Sequence, residues 1–222
     1  MCLINTISER TEIRLIMGRI KNKLNDLARA VINRRNQNRL KNHDFSLICN
    51  NCNGAFILHD LGMRFNSPFV NLWIKPSDYI KILSDLPGYM NEELSFAIED
   101  GIDYPVGVLR DVRVYFEHYN TNEEAKQKWD IRKERINYDN LFVMLIDRDG
   151  CNQLNLEMFD KLPYRNKVIF SNKQHPEIKS SYYINGFENQ NEVGDCFAFV
   201  PDKIGVKYYD QFDYVKWING SV

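Results

Sequence analysis

Leu141-Phe142-Val143-Met144-Leu145-Ile146-Asp147-Arg148-Asp149-Gly150 decides the fold class. An unbroken apolar run is what a strand buried on both faces requires, and the Asp-Arg-Asp-Gly that ends it suits a turn. Such a strand needs helices on either side, and the neighbouring sequence offers them. Upstream, Thr121-Asn122-Glu123-Glu124 is a capping-box pattern that opens a helix to about Ile136. Downstream, Gln153 to Asp160 reads as a helix and Lys167 to Phe170 as a strand. Further out, Phe45 to Cys49 is a short strand ending at Asn50-Asn51, and Cys52 to Leu61 is a helix closed by Gly62. Phe69 to Ile74 reads as another strand, stopped by Lys75-Pro76 before a helix beginning at Ser77-Asp78. Val112 to Phe116 alternates as a strand does. Beyond Ser171 the signals weaken: Ser180 to Ile184 and Ile204 to Tyr209 suit short strands, with antiparallel pairing open to them. Gln211 to Asn219 suits a terminal helix capped by Gly220. Strands separated by helical segments predict an α/β fold, a three-layer α/β/α arrangement on a mainly parallel sheet, with an N-terminal amphipathic helix.

That N-terminal helix carries the charge asymmetry of the chain. Among 222 residues, 44% are apolar and 27% charged, which excludes a disordered chain. Lys and Arg number 29 against 30 Asp and Glu, which excludes a generally basic nucleic-acid binder. Yet Glu9 to Lys41 holds seven Arg and three Lys against two Glu and one Asp, so +7 sits in one segment and −8 in the remainder. Ile13, Ile16, Met17, Ile20, Leu24, Leu27 and Val31 recur there at helical spacing behind Ser8, a candidate N-cap. The expected division is residues 1–43 as a basic helical segment, with polar Asn33 to His43 as its linker, and residues 44–222 as the α/β domain. The helix would meet an anionic membrane surface or a protein through residues 9–41, or dock on the domain with its charged face in water. No run reaches the roughly 18 to 20 apolar residues of a membrane span, and the N-terminus lacks the pattern of a signal peptide. The cysteines, Cys2, Cys49, Cys52, Cys151 and Cys196, are an odd set in a chain too large to need staples. A cytoplasmic location is the expectation, with peripheral attachment at the inner membrane face as its extension.

In an open parallel sheet the ligand site lies at the carboxyl ends of the strands. That edge would collect Asn50, Asn51 and Cys52, then His118 and Tyr119, then Asp147, Arg148 and Asp149, and finally Ser171 and Asn172. Two chemistries compete for it. Asp147 and Asp149 form an Asp-x-Asp on a buried strand, as in nucleotide-sugar glycosyltransferases, able to hold Mn²⁺ or Mg²⁺ on a diphosphate. Arg148 would contact phosphate, and Asn50, Asn51 and His118 the sugar hydroxyls. The competing chemistry makes Cys52, at the first turn of a helix, a nucleophile with His118 as base and Asp149 or Asp147 orienting it. Cys49 and Cys52 also have C-x-x-C spacing, but Cys49 continues the strand, which argues against a redox pair.

These stretches together resemble a known bacterial family. They are Asp44 to Ala55, Asp60-Leu61-Gly62, Asn66-Ser67-Pro68, Tyr104-Pro105-Val106-Gly107, Phe116-Glu117-His118-Tyr119, Glu123-Glu124-Ala125, Trp129, Arg132 to Asn137, Asp147 to Cys151 and Phe159 to Tyr164. In that order they look like the domain of unknown function named for exopolysaccharide biosynthesis, over roughly Asp44 to Phe170 and again at Asp213 to Gly220. The resemblance implies surface-polysaccharide assembly, with a sugar or nucleotide sugar as the small-molecule partner, but carries no established catalytic residues. The family loop tends to read Asn-Asn-Cys-Trp-Gly-Gly, where this chain has Asn53-Gly54-Ala55 after Cys52. Leu47 to Cys52 with Ser67-Pro68-Phe69 also resembles a family named for papain-like cysteine peptidases, which favours the thiol chemistry. The expected function is therefore a glycosyl or related group transferase of exopolysaccharide or capsule synthesis. The alternatives are a Cys52–His118 hydrolase or acyltransferase and a non-enzymatic accessory protein.

Overall fold

The computed structural model describes residues 2–220, with side chains from residue 16 onward; the side chains of Ser8 and Ile13 fall outside the described residues. The chain runs α1 (Cys2–Arg39), β1 (Ser46–Cys49), α2 (Asn53–Asp60), α3 (Pro76–Ser84), α4 (Leu86–Asn91), β2 (Ser95–Ala97), β3 (Val106–Leu109), β4 (Val112–Tyr115), α5 (Asn122–Lys133), β5 (Leu141–Ile146), α6 (Gln153–Asp160), β6 (Asn166–Ser171), β7 (Ser181–Tyr183) and α7 (Tyr214–Ile218). A four-stranded sheet in the order β1-β5-β6-β7 is parallel throughout. β5 lies inside it and divides its side chains between two cores. Val143 and Leu145 face one core with Ile48, Ile169 and residues of α3 to α6. Phe142, Met144 and Ile146 face the other with Leu47, Val168, Phe170 and residues of α2 and α7. This two-sided burial is why the strand shows no alternation, and the α/β/α layering stands.

Three strand expectations are corrected. Phe69 to Ile74 is not a strand: Asn71 has φ +60°, which breaks the extended run, and only Trp73 pairs, in an isolated bridge to Tyr115. Val112 to Tyr115 does form a strand, but outside the parallel sheet. Arg110-Asp111 turns the chain back on β3, giving a hairpin in register Leu109↔Val112 within the antiparallel sheet β2-β3-β4. Ile204 to Tyr209 contributes a single bridge, Phe199↔Lys207, followed by a 3₁₀ turn at Tyr208–Gln211. β7 is parallel to β6, so the antiparallel option for it falls.

The helices follow the sequence closely. Thr121 caps α5, its side chain accepting from the Glu124 N–H at 3.2 Å, and α6 spans the expected residues under an Asn152–Asn155 capping box. Gly62 and Gly220 leave α2 and α7 at φ +64° and +71°. The linker is the exception. Residues 33–38 are helical, because the second half of α1 has partners. Asn33 donates to Asp60 Oδ1 at 3.0 Å, Asn36 to the Tyr214 hydroxyl at 2.9 Å and Gln37 to the Asp60 carbonyl at 3.0 Å. Arg29 lies deeper, between Asp60 (2.7 Å) and Asp210 (2.5 Å), and Lys207 also reaches Asp60. The helix docks through its polar side chains; Met17, Ile20, Leu24, Leu27 and Val31 are exposed.

Candidate functional site

The carboxyl edge of the parallel sheet opens into a cavity of about 600 Å³ lined by Asn51, Cys52, Asn53, Phe56, Trp73, Glu117, His118, Arg148, Asp149, Asp195 and Phe197. Asn51, Cys52, His118, Arg148 and Asp149, all expected from the sequence, share it. His118 arrives by an unexpected route: the Trp73↔Tyr115 bridge sets the end of β4 beside the end of β1, since Ile74 N–H donates to the Asn50 carbonyl at 2.9 Å.

Asn50 and Asp147 are not among these lining residues. The Asn50 side chain is fully buried and clamps two strand ends, accepting from Ile146 N–H at 2.8 Å and donating to the Ile146 carbonyl at 3.3 Å. Asp147 accepts from Ser171 Oγ at 2.6 Å. Asp149 lines the cavity and Asp147 serves the strand end beside it, and no group of three or more His, Cys, Asp or Glu suited to a metal occurs among the described residues. The strand end does bring Ser171 within 3.2 Å of His175 Nε2, whose Nδ1 lies 3.5 Å from Glu177. That chain mimics a nucleophile and its base, but Ser171 is fully buried and already hydrogen-bonded to Asp147. It holds the loop after β6.

Around the cavity, local geometry explains each side chain. Gly54 lets α2 approach β1: a Cβ there would lie 2.8 Å from Cys49 Cβ. Asn51 Oδ1 accepts from the Asn53 N–H at 3.1 Å and Asn53 Nδ2 at 2.9 Å, turning the chain into α2. Asn53 is 1% exposed, and its Oδ1 has no hydrogen-bond partner among the described residues. A buried acceptor left unmatched costs about 1 to 3 kcal/mol, which a ligand hydroxyl or N–H would recover. Asp149 adopts φ +58°, a left-handed conformation that Asp tolerates better than most residues. Burial raises its carboxyl above the usual range; Arg148 opposes this, while Glu192 and Glu117 reinforce it. Arg148 is itself tied to Asp195 at 2.8 Å.

Cys52 occupies the N-cap of α2, where a thiolate would be favoured, yet burial and then the Glu117 carboxylate push its thiol up to about 11. Its Sγ contacts the Leu72 carbonyl at 3.9 Å, and no hydrogen bond among the described residues joins it to His118. Sequence reasoning missed the aromatic lining. Phe56 stacks on Phe197 at 4.3 Å, and Trp73 on Tyr115 at 4.0 Å with a 7° interplanar angle. Trp73 was legible only as a strand residue, and Asn53 only as the position where the resembled family has Trp.

Among the described residues no helix is long and apolar enough to cross a membrane. The chain is 49% identical over 201 residues to an uncharacterized protein of Haemophilus influenzae, a match covering 90% of this chain and 97% of that protein. Residues 23–219 match a family described as a domain of unknown function, so the docked half of α1 falls inside the shared region, and the chain belongs to that family, DUF1919.

Proposed function

We propose that the cavity binds a sugar unit of a surface polysaccharide or its precursor and transfers a glycosyl or related group, on the cytoplasmic side of the membrane. The observation that carries this is a cavity in which amides and carboxylates stand beside aromatic rings, with Asn53 Oδ1 buried in its wall and without a partner among the described residues. Sugars offer hydroxyl donors at their edges and C–H-rich faces to rings, so amides, carboxylates and a stacked Trp suit them. Asp149, its carboxyl raised above the ordinary carboxylate range by burial, is suited to give and take a proton, with Glu117 and His118 lining the same cavity to orient hydroxyls. The role of Arg148 in phosphate contact is weakened by its bonds to Asp195 and Asp149. Mn²⁺ or Mg²⁺ held by Asp147 with Asp149 is likewise the less favoured version, since Asp147 serves Ser171.

The decisive experiment is thermal unfolding with monosaccharides and nucleotide sugars, each with and without Mn²⁺. A ligand at about a hundred times its dissociation constant adds roughly 2.7 kcal/mol, a midpoint rise of about 5 to 10 °C for this size. A rise cut to about half by Asn53→Ala, as a tenfold loss of affinity requires, supports the sugar site, and a flat panel with folded protein overturns it. A rise that needs metal and nucleotide together would restore the diphosphate version.

The thiol reading keeps one supporting observation, that Cys52 and His118 line the same cavity. Rapid iodoacetamide labelling of Cys52 at neutral pH would favour it; slow labelling is expected with a thiol near 11. The accessory reading rests on residues 9–41, whose positive charge and exposed apolar side chains suit contact with a membrane surface or a protein.

A further inference from the structure

The described apolar residues of α1 sit at Met17, Ile20, Leu24, Leu27 and Val31, separated by three, four, three and four residues. This is the a/d seam of a coiled coil, and on sequence alone Ile13 continues it by one more position. Asn25, Arg29 and Asn36, which dock the helix on the domain, fall at b and f positions, on the opposite side. The seam therefore faces away from the domain. Residues 16–24 are exposed without interruption, and the tie given from this stretch to the domain is the hydrogen bond that Lys21 Nζ donates to the Pro201 carbonyl at 2.9 Å. Helices of this length draw their stability from packing rather than from propensity, and Gly18 within the stretch weakens it further.

From this geometry we infer that α1 pairs with α1 of a second copy of the chain, in parallel, along the Met17–Val31 seam. Three observations select that occupant. The stripe is the narrow a/d seam of a helix pair rather than the broad face of a helix lying in a lipid surface, and it carries no Trp or Phe. In a parallel pair each g position meets the e position five residues on in its partner. The pairs here are Ile16 with Lys21, Lys23 with Ala28 and Ala30 with Arg35, so no like charges meet although the helix is basic. With Ile16 included, the six side chains are 47 to 71% exposed. They offer on the order of 600 Å² per chain, so the pair reaches about 1,200 Å², the lower bound for a stable interface. Docking of the helix on the domain holds it formed before it pairs, which lowers the ordering cost. Arg34 takes the next d position and ends the seam.

Sedimentation of the full chain over a wide concentration range tests this. The wild type is expected at twice the chain mass, and Leu24→Glu with Leu27→Glu at the single mass. Asn22→Glu, an exposed substitution off the seam, should stay paired. Both seam positions are exposed, so the double variant should keep the domain's circular dichroism and cavity ligand binding. In a Cys2→Ser background, Val31→Cys should form an interchain disulfide on mild oxidation, because Val31, at one end of the seam, meets its own copy only in the parallel arrangement. A single-chain mass at every concentration overturns the inference, as does pairing that survives the double Glu variant or fails to cross-link. A single-chain protein that co-floats with anionic phosphatidylserine vesicles through the same residues also overturns it, and assigns the seam to lipid.

Discussion

Arg29 of α1 and Asp60 of α2 form an ion pair beneath the surface, Nη2 to Oδ2 2.7 Å, with 6% and 3% of their side chains exposed. Asp210 on the far side of Arg29, and Lys207 and Tyr209 around Asp60, close the network. Two cations and two carboxylates share a site that water does not reach freely, so removing one leaves another unmatched. Arg29→Ala is expected to destabilise the chain by about 3 kcal/mol, roughly 6 to 12 °C in midpoint, whereas exposed Arg34→Ala should stay within about 0.5 kcal/mol. Calorimetry of the two variants separates a docked helix from a tethered one.

The same network sets the acid limit. Burial alone would raise the Asp60 carboxyl, but hydrogen bonds from Tyr209 and Lys207 and the charge of Arg29 outweigh it and hold it below its ordinary value. A carboxylate depressed on folding contributes stability above its unfolded value, near pH 4, and loses it as pH falls through the folded one. Urea midpoints measured from pH 6 to 2 should fall below about pH 4, and Asp60→Asn should flatten that slope while lowering stability at neutral pH.

Asn53→Ala removes an acceptor that has no partner among the described residues. The apo midpoint should change little, since the lost Asn51 contact is offset by removal of the unmatched oxygen. Sugar binding should weaken about tenfold, read by calorimetric titration. A loss of fold without a change in ligand affinity would make Asn53 structural.

Asp149→Asn keeps a side chain that tolerates φ +58° and removes the proton donor. Turnover is expected to fall by about 10² to 10⁴ with the midpoint nearly unchanged, and the pH profile should lose the limb assigned to this carboxyl. Asp149→Val, β-branched in the left-handed region, should unfold more readily.

Gly54→Ala puts a Cβ 2.8 Å from Cys49 Cβ and pushes α2 off β1. A cost of roughly 1 to 3 kcal/mol is expected, and ligand affinity should drop with it because Asn51 and Asn53 ride on that turn.

The parallel sheet was legible because β5 must be apolar on both faces, and the helix bounds because Asn152, Thr121, Gly62 and Gly220 act locally. The hairpin was not, because Val106 to Leu109 is too short to announce a strand and its partner looks the same in either orientation. Phe69 to Ile74 has strand composition, but Asn71 sits at φ +60°, a conformation that Asn adopts more readily than most residues and that ends the extended run. α1 was found by its apolar period, and that period pointed to the wrong docking face. Arg29 and Asn36 are buried because Asp60, Asp210 and Tyr214 await them, which no local window contains. For the site, strand ends located Cys52, His118 and Asp149, whereas Trp73, Phe197 and Asp195 come from loops placed by tertiary contacts.

Arg29 and Asp210 are 181 residues apart, and this separation has a consequence in time. At about 5 to 20 residues per second, Arg29 is incorporated roughly 10 to 40 s before Asp210 exists. Asp60 is made early, but the Lys207 to Tyr214 half of the docking surface comes last. The first helix to be synthesised is therefore among the last to be seated, and its apolar seam is in the open throughout. A nascent chain in that state is a client for whatever holds exposed apolar helices during synthesis, and two neighbouring chains on one message could meet there before either domain is complete.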